Sequence, residues 1–133
     1  IALEARRQTL NRPYIEDPRD QATPRGMLAL LLRLWTADGV PASVRDTLIP
    51  IMRGTTTGLR RMVARLPYGV NVADKTGTAS GTANDVGFVT LPGDAGTVAV
   101  VIFIKASSLP VAEREDIIAD VARTIYDFYV LSR

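Results

Sequence analysis

The sequence contains no cysteine and no histidine among its 133 residues. Thiol nucleophiles, disulfides, histidine general bases and the usual zinc ligand sets are therefore excluded from this chain. No apolar run approaches the ~20 residues that span a bilayer, so we expect no membrane span. Charge is nearly balanced, with 16 Lys+Arg against 14 Asp+Glu, and the cations are scattered along the chain. We therefore expect no nucleic acid partner, no metal and no cofactor.

The chain predicts a single α+β domain built from three segments. Residues 1–22 are polar and contain two prolines, which indicates a short helical turn and an irregular loop. Residues 23–66 carry apolar side chains at helical spacing, and we predict three helices there, the last over about residues 59–66. Residues 67–133 predict a meander of about three antiparallel strands, followed by one amphipathic helix over about residues 112–131.

Capping signals mark the first two of these helices. Thr23 and the proline after it are typical of an N-cap followed by proline at the first helical position. Gly39 should end that helix. Ser43 is a candidate cap for the second helix, which Pro50 should shorten or bend.

The predicted sheet has only three strands, although the strand over residues 98–104 is continuously apolar. A continuous apolar strand normally has neighbours on both sides. An open sheet edge and an uncovered apolar face would result. We therefore expect the domain to be partial, and to pair either with a missing N-terminal part of the same protein or with itself.

The sharpest chemical signal is the run Asp74-Lys75-Thr76-Gly77-Thr78 on a predicted strand. An ammonium, a hydroxyl and an exposed backbone edge in succession can line one wall of a cleft that binds anionic, amide-bearing ligands. Lys-Thr-Gly is also one of the signature elements of class A β-lactamases and penicillin-binding proteins. The alternative is a solvated strand end, because a tripeptide recurs by chance.

Other segments match the same family in the same order. Residues 17–24 resemble the end of its Ω loop, residues 56–67 resemble the segment before its Lys-Thr-Gly strand, and residues 80–85 resemble the turn after it. The closing helix, with Arg114 near its start, also fits. The chain thus resembles the C-terminal portion of a class A serine β-lactamase or penicillin-binding-protein-like protein. The family's nucleophile motif Ser-x-x-Lys and its Ser-Asp-Asn motif are absent, which we interpret as truncation.

The resemblance implies roles for the residues of the Lys-Thr-Gly strand. Lys75 would be a catalytic residue and, with Thr76, would hold the substrate carboxylate. The backbone N–H of Thr78 would be one oxyanion-hole donor. Gly77, Thr78 and Ser80 would line the cleft.

Arg61 lies before that strand in the sequence. The resemblance implies that it offers a guanidinium to the same substrate carboxylate. A planar guanidinium matches a carboxylate better than an ammonium does. A solvated helix residue is the alternative interpretation.

Three further positions would be structural. Asp74 would place a structural negative charge beneath the strand. Arg19 and Asp20 would close the neck of the loop, with Asp20 paired to Arg6 or Arg7 as the family pairs its aspartate.

The loop departs from the family at one position. Asn11 matches the family's water-positioning asparagine, but Arg7 stands where the family has its glutamate, and Glu4 is the nearest preceding carboxylate. Arginine cannot act as a general base. Efficient deacylation by the intact parent is therefore in doubt.

The resemblance predicts a periplasmic or secreted parent that hydrolyses β-lactams through an acyl-serine intermediate. This chain alone, lacking the nucleophile, should be inactive. The alternative is a penicillin-binding or non-hydrolytic module of the same fold that binds a β-lactam or peptide carboxylate.

Overall fold

Seven helices and strands make up the described part of the chain, residues 11–19 and 21–132 of a computed structural model. The helices are α1 (Arg12–Glu16), α2 (Pro24–Thr36), α3 (Ala42–Arg53) and α4 (Val111–Leu131). The strands are β1 (Val72–Ala79), β2 (Thr82–Thr90) and β3 (Thr97–Ile104). They form one antiparallel sheet in the order β1-β2-β3. The predicted α+β class, with a three-stranded meander flanked by helices, is confirmed.

The strand register assigns side chains to the two faces of the sheet. Lys75 lies opposite Val86 on β2, and Val86 lies opposite Val101 on β3. Because side chains alternate along a strand, odd-numbered β1 residues share one face and even-numbered ones the other. Lys75 and Gly77 therefore lie on the opposite face from Asp74, Thr76 and Thr78.

The helices α2 and α3 cover the face that carries Lys75. Buried Leu31 and Ile49 from these helices pack with Ala73, Val86 and Phe88 of the sheet. The ring of Trp35 at the end of α2 lies 4.9 Å from that of Phe88, which fixes α2 against β2.

The helix α4 and the segment around Met62 cover the other face. Ile118, Ala122 and Tyr126 are buried against Val100 and other residues of β2 and β3. The apolar spacing thus predicted this helix, but most of the stripe that it marks is exposed rather than packed on the sheet. None of the described helices combines the length and the apolarity that crossing a bilayer requires.

Part of the apolar surface lies exposed among the described residues. Ile117, Val121 and Phe128 of α4 are 41%, 39% and 62% exposed. In the described sheet, β3 is an edge strand although its sequence is continuously apolar. This is the open edge and uncovered face expected from the sequence.

The predicted third helix is wrong. Residues 59–66 form a series of turns in which Arg61 N–H donates to the Gly58 carbonyl and Ala64 N–H to that of Arg61. Met62 N–H donates instead to the buried carboxyl of Asp85, at 3.1 Å. A helical pattern of backbone bonds would compete with this tertiary contact, so the apolar spacing alone misleads here.

The predicted helix boundaries also need correction. Thr23 caps α2 as expected, through a bond from Gly26 N–H. However, α2 ends at Thr36, and Ala37 rather than Gly39 adopts the left-handed C-cap conformation. Ser43 lies inside α3 and does not cap it, because Pro41 occupies the cap position. Pro50 lies within α3, which continues to Arg53.

Candidate functional site

The outer edge of β1 presents unpaired backbone groups. Thr90 N–H donates to the Asn71 carbonyl, which identifies the odd-numbered β1 residues as those that bond to β2. In an antiparallel ladder the intervening residues point their N–H and C=O groups the other way. The Asp74 carbonyl accordingly accepts a bond from the Thr55 hydroxyl outside the sheet, at 2.8 Å. By the same alternation, the N–H of Thr78 points away from β2.

Lys75 and Thr76 lie together along this edge. The Lys75 ammonium donates to the Thr76 carbonyl at 2.6 Å. The hydroxyls of Thr57 and Thr76 are 2.9 Å apart and hydrogen-bonded. The segment before β1 therefore fixes the orientation of Thr76.

An open cavity of about 380 Å³ adjoins this edge. Lys75, Thr76 and Gly77 line it. The rest of its lining comes from α1 and the residues around it, from α2, and from β2 and β3: Tyr14, Ile15, Asp17, Gln21, Ala22, Met27, Thr82, Asn84, Val86, Phe103, Ile104 and Lys105.

Arg61 is buried, with only 3% of its surface exposed, so it is not a solvated residue. Its guanidinium donates to the carbonyls of Gly77 and Asn84, at 3.0 and 2.9 Å. It also donates to the Thr78 hydroxyl at 2.5 Å and to the Glu115 carboxylate of α4 at 3.2 Å. Arg61 thus reaches the edge of β1 through Thr78 and lies outside the cavity lining.

The other two members of the predicted cleft rim lie near the end of β1. The Thr78 hydroxyl accepts the bond from Arg61, so its own proton is free to point outward. Ser80 lies in the two-residue turn between β1 and β2 and is half-buried. Neither side chain lines the cavity.

Asp74 lies beneath the strand and faces a second carboxyl, Asp85. Both are buried, with 6% and 0% of their surface exposed, and their side chains are hydrogen-bonded to each other. Burial and the neighbouring Asp74 charge together raise the pKa of Asp85 to about 7, although the Met62 N–H and Arg61 act to lower it. Burial also raises the pKa of Asp74.

These two buried carboxyls are close enough to share a proton. Asp85 Oδ1 is buried and has no hydrogen-bond donor among the described residues, and a proton shared with Asp74 would supply one. The pair therefore takes up a proton at a higher pH than an ordinary aspartate does.

The loop residues predicted for the site lie partly outside the described residues. Asn11 caps α1, and its Oδ1 accepts from Tyr14 N–H at 3.4 Å. Arg19 forms an ion pair with Asp17 on the surface. Asp20, Arg6, Arg7 and Glu4 lie outside the described residues, so the predicted closure of the loop neck stays a prediction.

Sequence reasoning missed two residues that support this site. Buried Asp85 faces Asp74, and half-buried Glu115 balances the charge of Arg61. A carboxylate in a β-rich run such as that around Asp85 was an available signal, because charged residues are rarely placed in the middle of a buried strand. Glu115 gave no signal, since acidic residues are ordinary near the start of an amphipathic helix.

Comparison with known proteins agrees with this geometry. The sequence model of the β-lactamase enzyme family matches residues 2–129. β-Lactamase CTX-M-25 of Escherichia coli is 36% identical over 129 residues, which are 96% of this chain and 44% of that protein. The chain therefore belongs to the β-lactamase enzyme family, and the resemblance seen in the sequence is confirmed.

Solved structures give the same result for the fold. A β-lactamase from Chitinophaga pinensis superposes with a TM-score of 0.73 and 36% identity, over 80% of this chain and 41% of that one. A class A β-lactamase from Bacteroides cellulosilyticus gives 0.76 and 29%, over 84% and 42%. The chain spans less than half the length of these relatives.

Proposed function

We propose that this chain supplies the carboxylate-binding and oxyanion wall of a class A β-lactamase-like serine hydrolase. The observation that carries the proposal is the outer edge of β1, where the Lys75 ammonium, the Thr76 hydroxyl and the outward N–H of Thr78 lie in succession. An ammonium and a hydroxyl suit a carboxylate. An outward amide suits the negative oxygen that develops when a serine attacks a β-lactam carbonyl.

The role of Arg61 in this proposal is indirect. Its guanidinium is buried and bonded to four acceptors, so it does not meet the ligand itself. It donates to the Thr78 hydroxyl, which leaves the hydroxyl proton available for the ligand carboxylate. Arg61 is therefore a positioning residue for Thr78.

The nucleophile belongs to sequence outside these 133 residues. Neither Ser-x-x-Lys nor Ser-Asp-Asn occurs in the chain, whose matched relatives are more than twice as long. We infer that the exposed stripe of α4 and the open edge of β3 pack against that other part of a longer, periplasmic or secreted protein. Association of two copies through the same surfaces is the alternative, and sedimentation of the chain over a range of concentrations distinguishes them.

Replacing Thr78 with proline tests the oxyanion role. Proline removes the backbone N–H, and it is tolerated on edge strands where that N–H points outward. In a form of the protein extended to include the nucleophile, Thr78→Pro should slow hydrolysis of a chromogenic cephalosporin by about 10²–10³-fold. Thr78→Ala keeps the amide and is the matched control. Equal rates for the two variants would refute the oxyanion assignment.

A non-hydrolytic binding module of the same fold is the second candidate. The presence of Arg7 at the position of the family's loop glutamate favours it, since arginine cannot activate the deacylating water. Mass spectrometry of the extended protein after mixing with a penicillin separates the two functions. A covalent adduct that persists indicates penicillin binding, a transient adduct indicates hydrolysis, and unchanged mass indicates reversible binding only.

A further inference from the structure

The chain has only two lysines, against fourteen arginines, and both lysines line the same cavity. Lys75 is in β1, and Lys105 directly follows the end of β3. Extending the register beyond the Ile104–Ala83 pair places Lys105 two strands away from Lys75 and four residues further along the sheet. With ~3.3 Å per residue and ~4.8 Å per strand, their Cα atoms are about 16 Å apart.

Cations outnumber carboxylates in the described lining of this cavity. Among the described residues, Asp17 is the one carboxylate of the lining, and the guanidinium of Arg19 already occupies it, with Nε bonds of 2.9 and 3.1 Å. The Lys105 side chain is exposed, and within residues 11–19 and 21–132 no hydrogen bond or ion pair engages its ammonium. Two cations with no free carboxylate between them in the described part of the chain attract anions.

Asn84 lies in the lining between the lysines, although its side-chain oxygen does not face the open space. Asn84 Oδ1 is buried, and no donor in the described part of the chain bonds to it. Asn84 lies between the two lysines, on the strand that pairs with β1. Val86 and Phe103 supply an apolar surface beside it. A ligand that spans the lysines can therefore place apolar atoms against Val86 and Phe103.

We propose that this cavity binds a ligand with two anionic groups, one held near Lys75 and the second near Lys105. The inference rests on the proposed function, which assigns the first group as the substrate carboxylate. It adds the class of substrate: β-lactams or peptides whose acyl side chain carries a second carboxylate. The flexible stem of Lys105 lets its ammonium follow ligands of somewhat different length.

The test compares two penicillins that differ only in a side-chain carboxylate. In calorimetric titration of the 133-residue chain at low salt, the dianionic penicillin should bind about three- to fivefold more tightly than the monoanionic one. This is the gain expected from one added ion pair at an exposed cation. Lys105→Gln should abolish this preference while leaving the monoanionic ligand unaffected. Lys75→Gln should weaken both ligands. Arg53→Gln removes one charge outside the cavity and should change neither.

Other outcomes overturn the inference. Equal affinity of the wild-type chain for the two ligands, or an equal loss for both in Lys105→Gln, refutes the second anion site and leaves the Lys75 site intact. A loss of the preference in Arg53→Gln also refutes it, because the effect would then come from overall charge. If neither ligand binds, the proposed carboxylate wall fails, and this inference fails with it.

The small number of lysines permits a second test that needs no variant. Reductive methylation with ¹³C-formaldehyde labels only two lysine amines and the chain's α-amine, and it keeps their charge. The dianionic penicillin should shift both lysine signals, and the monoanionic one only that of Lys75. A Lys105 signal that responds alike to both ligands overturns the proposal.

Discussion

Replacing Asp85 with asparagine should remove a pH dependence from the stability of the fold. Asp85 is fully buried, and its pKa is raised to about 7 by burial and by the charge of Asp74. The folded state therefore holds this proton more tightly than the unfolded chain, whose aspartates titrate near 3.8. Stability from the protonated pair is present at low pH and is lost as pH rises toward 7 and above. Asparagine mimics the protonated carboxyl at every pH.

The size of the effect follows from the two pKa values. Each unit of difference between the folded and unfolded pKa corresponds to about 1.4 kcal/mol of unfolding free energy. For a carboxyl that titrates near 3.8 unfolded and about 7 folded, the loss between pH 5 and pH 8 is about 3 kcal/mol. The introduced asparagine side chain should keep the bond from Met62 N–H and donate to Asp74, so the variant should fold.

Urea denaturation of the wild-type chain and of Asp85→Asn, at intervals from pH 5 to pH 8, measures this difference. The stability of the wild type should fall relative to that of the variant as pH rises. Asp94→Asn, on the exposed connection between β2 and β3, is the matched control and should follow the wild type. Parallel curves for wild type and Asp85→Asn would refute the shared proton.

Three further substitutions probe the packing and the wall. Gly87→Ala should lower the free energy of unfolding, measured in urea, by roughly 1–3 kcal/mol, because the added Cβ would overlap the backbone of β1. Gly54→Ala is the control and should leave stability unchanged, because the Cβ added there meets nothing closer than 3.5 Å. Phe88→Ala should cost about 3–5 kcal/mol and shift the fluorescence of Trp35, and an unchanged spectrum would contradict their contact. Arg61→Lys should lower stability by about 3 kcal/mol, because one ammonium cannot satisfy four acceptors, and a wild-type urea midpoint would contradict that reasoning.

Much of the fold could be predicted because apolar residues recur at regular helical or strand spacing in most of its helices and strands. The predicted strand over residues 97–104 matches β3 at both ends, and α4 differs from its prediction by one residue. The segment of residues 59–66 has an equally good helical spacing, but Met62 N–H bonds to a carboxyl 23 residues away. Such a contact is decided by tertiary structure, and no local pattern reports it.

The candidate site was predictable to a similar extent. The motif on β1 identified Lys75, Thr76 and Thr78 because their order along a strand determines which groups share its edge. The ion pair between Arg61 and Glu115 joins residues 54 positions apart, and neither has a neighbour in sequence that reveals it. Lys105 carries no motif at all, and only the register of β3 brings it to the cavity.

Among the described residues, several contacts fix the outer edge of β1 in place. Thr55 and Thr57 hold the edge of β1 from one side, and Arg61, anchored by Glu115, fixes Thr78 from the other. Under the proposed function, an edge preorganised in this way can receive a carboxylate without any further residue. The proposed acyl transfer also requires a nucleophile, and the chain holds no serine followed three residues later by lysine. The proposed function therefore predicts that these 133 residues bind ligand without turning it over.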